Sequence, residues 1–228
     1  FIGQSVTNAT GTYLFPSDGT IPSDKSMWQP RLGLTYDPRG DGRQVFRGSA
    51  GLYYARIPAL NLASSRSTNG SNGFTYFRNS GLTGVLGPVP GFGSLLPDNV
   101  PANAVFFPDV FVFDKDFQNP RTLNVTVGYD RQLGANLGAS ITYTYAQTDH
   151  LTRFINRNHS VFGSPWSTGL APGGTNGITT LTTVESSAKS RYQGVTLGVR
   201  RVLDPDFQFE MNYTLSWDKS DDDNERDP

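Results

Sequence analysis

The chain has 228 residues, a net charge of -1 and no cysteine, which excludes a disulfide framework, a thiolate metal centre and an electrostatic case for nucleic acid. Hydrophobic residues make up 36%, mean hydropathy is -0.40, and no window approaches the roughly 20 apolar residues of a spanning helix. With 25 glycines, 15 prolines and 12% aromatics, strands and turns are favoured over helices.

Taken in order, residues 1–27 are rich in Thr, Ser, Gly and Pro and read as loop, with a short strand near Gly11–Phe15. The chain opens on Phe1 without a signal peptide, so the natural start is expected to have been lost by processing or to lie upstream. Arg31–Asp37 alternates, Leu32, Leu34 and Tyr36 against Arg31, Gly33 and Thr35. Pro38–Gly42 has tight-turn composition, and from Val45 to Ala55 the residues Phe46, Gly48, Ala50, Leu52 and Tyr54 oppose Arg47, Ser49, Gly51 and Tyr53. This predicts a hairpin over 31–55. The pattern then fails over 56–119, which reads as a long loop, although Ala104–Asp114 is apolar enough for a strand or a packed segment.

A second hairpin is predicted over 122–148, turning at Leu133–Asn136. Leu123, Val125, Val127 and Tyr129 form one of its stripes, and Leu137, Ala139, Ile141, Tyr143 and Tyr145 the other. Residues 149–190 read as a second long loop with a strand at Ile178–Glu185. A third hairpin over 191–218 carries Val195, Leu197 and Val199 and turns at Leu203–Asp206.

Its second arm is the strongest signal in the chain. Phe207, Phe209, Met211, Tyr213, Leu215 and Trp217 alternate with Gln208, Glu210, Asn212, Thr214, Ser216 and Asp218. A strand of this length reaches about 40 Å, and a tilt near 45° lowers its vertical span to roughly 28 Å, close to the ~25 Å apolar band of a membrane barrel. Aromatic residues at both ends stand where interfacial girdles are expected.

Short turns on one side and long segments on the other are the asymmetry of an outer-membrane barrel. The expected fold is therefore all-β: part of an antiparallel transmembrane β-barrel wall in a bacterial outer membrane, with short periplasmic turns and long extracellular loops. Outer-membrane lipid is the partner expected on the stripe of Phe207, Phe209, Met211, Tyr213, Leu215 and Trp217, continued by Leu137, Ile141, Tyr143, Val195, Leu197 and Val199. Arg31, Arg47, Asp130, Arg200, Glu210 and Asn212 fall on the polar face, where they line a lumen or are simply solvated. A soluble extracellular β-sandwich is the competing fold.

Trp28-Gln29-Pro30-Arg31, then Gln118-Asn119-Pro120-Arg121, then Tyr192-Gln193-Gly194-Val195 stand in an order that resembles the Oar-like TonB-dependent receptors. One of their hairpins is similar to Trp28-Gln29-Pro30-Arg31-Leu32-Gly33-Leu34-Thr35-Tyr36-Asp37-Pro38, followed by Arg47-Gly48 and Tyr53-Tyr54-Ala55-Arg56-Ile57-Pro58. The next resembles Gln118-Asn119-Pro120-Arg121-Thr122-Leu123 running on to Gly128-Tyr129-Asp130-Arg131-Gln132-Leu133. The third resembles Tyr192-Gln193-Gly194-Val195 with Asn212–Ser220 and the acidic run after it. The resemblance implies a barrel of about 22 strands with an N-terminal plug that couples to the TonB system. No counterpart of the plug is expected in these 228 residues, which read as an internal piece of wall. It also implies capture and uptake of a substrate that the sequence does not name, and contact of the polar-face charges with the plug. The alternative is a surface adhesin or assembly protein that binds another protein chain through its loops or sheet edge.

Chemistry-bearing clusters are few. The chain has no Cys nucleophile, nucleophile-elbow serine or phosphate loop, so no enzyme activity and no cofactor is expected. His150 and His159 lack companions at ligand spacing, so no metal site is expected there. Asp218, Asp221, Asp222, Asp223 and Glu225 lack the spacing of a calcium loop and read as a solvated tail. Arg39-Gly40-Asp41 reads as a hairpin turn. The aromatic loop residues Phe74, Tyr76, Phe77, Phe106, Phe107 and Phe111 are the candidates for ligand or partner contact, with packing inside the loop as the equal alternative.

Overall fold

The computed structural model describes residues 5–8, 11–70, 109–166, 177–204 and 207–221. Strands β1 (Ser5–Asn8) and β2 (Gly11–Leu14) form a small antiparallel hairpin. The wall begins with β3 (Arg31–Tyr36) and β4 (Gln44–Tyr54). A helix α1 (Ala59–Ser67) and a short strand β5 (Asp109–Phe113) follow. Four long strands complete the chain: β6 (Arg121–Gly134), β7 (Leu137–Asn156), β8 (Thr180–Asp204) and β9 (Phe207–Ser220). Strands β3, β4, β6, β7, β8 and β9 lie side by side, each antiparallel to the next. The sheet is open: among the described residues the outer edges of β3 and β9 carry no partner strand.

The short connections, β3–β4, β6–β7 and β8–β9, all lie at one end of the sheet, opposite the longer β7–β8 connection. The β6–β7 turn is Ala135–Asn136, entered through a register shift at Gln132/Gly134, and β8 and β9 are separated only by positions 205–206, outside the described residues. The β3–β4 turn is organised by one carboxylate. Asp37 accepts the backbone N–H groups of Arg39 (3.1 Å), Gly40 (2.9 Å) and Gly42 (2.7 Å), and Asp41 accepts that of Arg43 (2.9 Å). Gly40 and Gly42 have φ of 67° and 68°, a region open to glycine and costly for residues with a Cβ. The Arg39-Gly40-Asp41 tripeptide is thus part of a turn.

These amides, the Gly42 N–H foremost, hold the Asp37 carboxyl below its ordinary value of 3.8. Because the shift is downward, its stabilising effect is complete above that ordinary value and fades as pH falls through the lower, folded one. Asp37→Ala is expected to speed hydrogen exchange at Gly40 and Gly42 at neutral pH while amides in the middle of β4 stay protected. Unchanged exchange at both glycines would remove the carboxylate from this role.

The stretches expected as long loops carry more regular structure than the sequence reading assigned. Strand β5 falls inside the apolar segment Ala104–Asp114 and the start of β8 inside the strand expected at Ile178–Glu185, but helix α1 and the extension of β7 to Asn156 correct the loop reading. Strand β7 continues to Asn156 and β8 begins at Thr180, so both project well past the end of β9. Register shifts between Thr148, Leu151 and Arg153, with His150 at φ 62°, mark where the projecting hairpin departs from the wall. Strand β5 reaches across to this projection and pairs parallel with β8, Asp109–Phe113 against Thr180–Val184.

The buried apolar core of the described residues lies in this projection. Val110, Val112 and Leu181 pack with Phe15, Trp166 and Ile178 on one side, where Phe15 and Tyr13 meet the Trp166 ring edge-on at 6.2 Å. On the other, Phe113, Phe117 and Val184 pack with Ile57, Leu62, Phe111 and Phe154. Alternate residues of β5 enter opposite clusters, so both of its faces are covered. That is why alternation disappears from the sequence here: a strand buried on both sides reads as a continuous apolar run.

Polar groups staple the same body. The buried Asn158 accepts from the Trp166 N–H (2.8 Å) and its side-chain amide donates to the Ile178 carbonyl (2.5 Å). Glu185, 7% exposed, accepts from Arg157 Nε at 2.6 Å and also from its Nη2. Arg157→Ala would leave that carboxylate buried without its cation. The guanidinium is about one-third exposed (35%), so the expected cost is below that of a fully buried pair, about 2 kcal/mol, read as a lower melting temperature of the projection.

Candidate functional site

Register assigns every wall residue to one of two faces, because residues opposite each other on neighbouring strands share a side. One face carries Leu32, Leu34, Tyr36, Phe46, Leu52, Leu123, Val127, Tyr129, Leu137, Ile141, Tyr143, Val195, Leu197 and Val199, and ends in Met211, Tyr213, Leu215 and Trp217. Phe207 and Phe209 continue it on β9 by alternation. Large exposed apolar side chains recur along the whole of this face, among them Leu32 at 76% and Tyr213 at 61%. A soluble protein does not leave so extended a patch bare.

The band crosses the hydrogen-bonded rows at a slant. Leu52 and Leu123 lie in one row with Gln147, Arg191 and Lys219, whereas Arg131 lies in one row with Ala139, Val199 and Met211. A level apolar belt does this when strands tilt, as they must in a closed barrel, since rows perpendicular to tilted strands climb along the wall. Near the upper margin the tyrosines have polar handles. The Tyr145 hydroxyl donates to Gln147 (2.7 Å), Gln147 donates to Asp149 (3.3 Å), and the Tyr143 hydroxyl donates to Gln193 (3.3 Å). An apolar ring below a satisfied hydroxyl suits a membrane–water boundary.

The other face is built from small and hydroxylated residues. One row reads Thr35, Arg47, Gly128, Thr142, Thr196 and Thr214, and another Arg31, Gly51, Asn124, Ala146, Tyr192 and Asp218. Hydroxyls pair across strands, Thr196 with Thr214 and Thr122 with Thr148, both at 2.9 Å. Arg47 meets Asp130 at 2.7 Å, and the Arg31 guanidinium lies 4.5 Å from the centre of the Tyr53 ring. Toward the short turns, a shallow groove of about 380 Å³ includes Arg43, Asp130, Ser140, Arg200, Glu210 and Asn212 in its lining. Arg200 and Glu210 face each other in register but bond to neutral amides, Arg200 to Gln208 (2.9 Å) and Glu210 to Asn212 (3.2 Å). So Arg31, Arg47, Asp130, Arg200, Glu210 and Asn212 share one face, and the charged groups among the first five remain solvent-accessible on it.

A model of the family described as outer membrane beta barrel domain matches residues 3–227. The chain belongs to this family. It is an outer-membrane β-barrel protein of a bacterial cell, and the apolar belt and open antiparallel wall are those of a barrel section. Among solved structures, the outer membrane transporter YddB from Escherichia coli is similar over 83% of this chain and 20% of its own, at 13% identity and a TM-score of 0.49. The chain thus spans about one-fifth of the length of that transporter. A comparison with curated protein sequences gives no match.

Other sequence candidates resolve differently. Phe111 is packed inside the projection, 6.0 Å from Phe154, where it supports the core; Phe74, Tyr76, Phe77, Phe106 and Phe107 lie outside the described residues. The His159 ring accepts the Val161 N–H (3.2 Å) and caps a turn. Asp221 accepts the Lys189 N–H (2.5 Å) and its carbonyl accepts from Arg153 (2.6 Å), so the tail begins from an anchored residue; Asp222, Asp223 and Glu225 lie outside the described residues. Among the described residues no three His, Asp or Glu side chains gather as metal ligands. Sequence reasoning did not single out Phe15 and Trp166, at 3% and 4% exposure, because their core partners are remote in sequence: Phe15 ends a short apolar run before Pro16, and Trp166 stands in a Ser/Gly/Pro-rich stretch without a period to mark it.

Proposed function

We propose that the chain forms a section of the wall and outer surface of a TonB-dependent receptor of the Oar-like kind, which captures a substrate and admits it through a wide barrel. The observation that carries this reading is the polar face. It is lined by threonine, serine and glycine with accessible charges, whereas the interior of a narrow barrel is filled by interlocking side chains. Among the described residues the outer edges of β3 and β9 carry no partner strand, and in this reading further strands of the receptor continue the wall from them. In this reading Arg47, Asp130, Arg200 and Glu210 face a water-filled interior and a plug supplied by another part of the receptor, and energy reaches the barrel through TonB. The wall itself performs no bond chemistry. Its residues position loops, exclude lipid and hydrate the passage.

The test is uptake by cells carrying the full-length protein, with and without TonB. Uptake that collapses in the TonB-deficient strain supports the reading, and undiminished uptake would end it. The projecting hairpin favours a second reading, a surface adhesin, because a packed body standing beyond the wall offers rigid ground for another protein chain. Removal of residues 56–119 separates the two: the receptor loses uptake and the adhesin loses surface attachment.

A further inference from the structure

On the side of the long connections, the apolar face ends in two cations that confront each other. Arg191 of β8 and Lys219 of β9 are register partners on neighbouring strands, and both side chains are exposed. Like charges directly opposite one another weaken a strand pair. Nothing among the described residues relieves them, since neither side chain has a hydrogen bond or ion pair there. The carboxylates in the adjoining positions are already engaged. Asp149 meets Arg121 at 3.7 Å and accepts from Gln147, while Asp221 accepts the Lys189 N–H and lies 3.8 Å from Arg153.

Their position is specific. In the next row toward the membrane stand Tyr145, Gln193 and Trp217, the boundary residues of the belt. Arg191 and Lys219 therefore sit one step beyond the aromatic margin, at the depth of lipid headgroups, and Lys189 follows two residues further along β8. Among the described residues the opposite margin has no such pair: Arg131 faces Ala139 and Arg201 faces Leu137 and Phe209.

We propose that Arg191 and Lys219 form a binding site for the phosphate of an anionic lipid headgroup, in the leaflet on the side of the long connections. Two unmatched cations a strand apart complement one phosphate, and the acyl chains of the same lipid then lie on Val195, Leu197, Tyr213 and Leu215. A free anion in water gains no such apolar contact. The lipid also supplies the countercharge that the β8–β9 pair lacks. This inference rests on the assignment of the apolar face to lipid.

The test uses the full-length protein in nanodiscs of phosphatidylcholine, alone or with a minority of phosphatidylglycerol, with bound lipid counted by native mass spectrometry. Arg191→Gln and Lys219→Gln are each expected to lower phosphatidylglycerol retention about fivefold, and together roughly thirty-fold, the ratios given by about 1 kcal/mol per basic residue at an anionic surface. Arg39→Gln, in the turn at the other end, is expected to change nothing. In phosphatidylcholine alone the double variant should melt no lower than the parent, because a repulsion has been removed; with phosphatidylglycerol it should melt lower. Equal retention by parent and double variant would overturn the proposal, as would displacement of the lipid by millimolar inorganic phosphate. The underlying assignment is read separately. The 228 residues contain no cysteine, so a nitroxide placed through Leu215→Cys reports oxygen access in lipid. Oxygen access with uniform lipid retention rejects the phosphate site alone, and water-like access rejects the lipid face itself.

Discussion

Tyr213→Arg is expected to destabilise the folded wall by about 2–4 kcal/mol, the cost of a cation on the lipid face near the membrane midplane, while Thr214→Arg leaves it within about 0.5 kcal/mol. The two residues are adjacent on β9 and differ in the face they serve. Tyr213 stands between Met211 and Leu215 with Leu197 opposite, in the middle of the apolar belt. An arginine there must strip its guanidinium of water or pull water into the hydrocarbon. Thr214 points the other way and bonds to the exposed Thr196 hydroxyl, a contact of small net worth that an arginine in water readily replaces. Neither substitution opens a cavity or breaks the backbone ladder, so the difference isolates the solvent on each face. The measurement is urea unfolding of the full-length protein in lipid vesicles. Equal tolerance of both substitutions would mean that the apolar face meets something other than lipid.

Phe113→Ala should cost about 3–5 kcal/mol, and the loss should be confined to the projecting body. Phe113 is 2% exposed and meets Phe117 edge-on at 5.0 Å, with Val184 behind it and Ile57 and Leu62 on the side of α1. Truncation leaves a cavity among residues from three separated segments, which cannot all close on it because β5 is pinned by its ladder to β8. The wall has its own hydrogen bonds and its own solvent, so it should survive. Protease added to intact cells should cleave within residues 55–120 or 157–179, while the heat-induced shift of the barrel in electrophoresis persists. Unchanged resistance would show that the projection does not depend on this core. Loss of the heat shift as well would show that wall and projection fold as one unit.

These two substitutions also divide what the sequence states from what it conceals. The wall is legible because each strand has one apolar and one polar face. Alternation in β9 can be read residue by residue, and the face assignments of Arg47, Asp130 and Glu210 follow from parity alone. Parity says nothing of neighbours, however. That Arg191 confronts Lys219, or that Arg200 ignores the opposite Glu210 for the Gln208 amide, depends on the register between strands, which the turn geometry and a shift near Val202 fix. Asp37 was visible as part of a turn; its service to three amides was not, since composition does not specify where one carboxylate points.

The projection is only partly legible, as apolar segments at Ala104–Asp114 and Ile178–Glu185 inside loop-like stretches, for the opposite reason. Where Val110, Phe111, Val112 and Phe113 are all covered, no second solvent imposes a period, and partners such as Phe15 and Trp166 are remote in sequence. The sequence by itself therefore determined an antiparallel wall with one apolar and one polar face, because side-chain direction along a strand is a local property. Only the tertiary structure decided the pairing register, the slanted belt, the confronting cations and the buried body beyond the wall. Each of those depends on contacts between residues that the chain holds far apart.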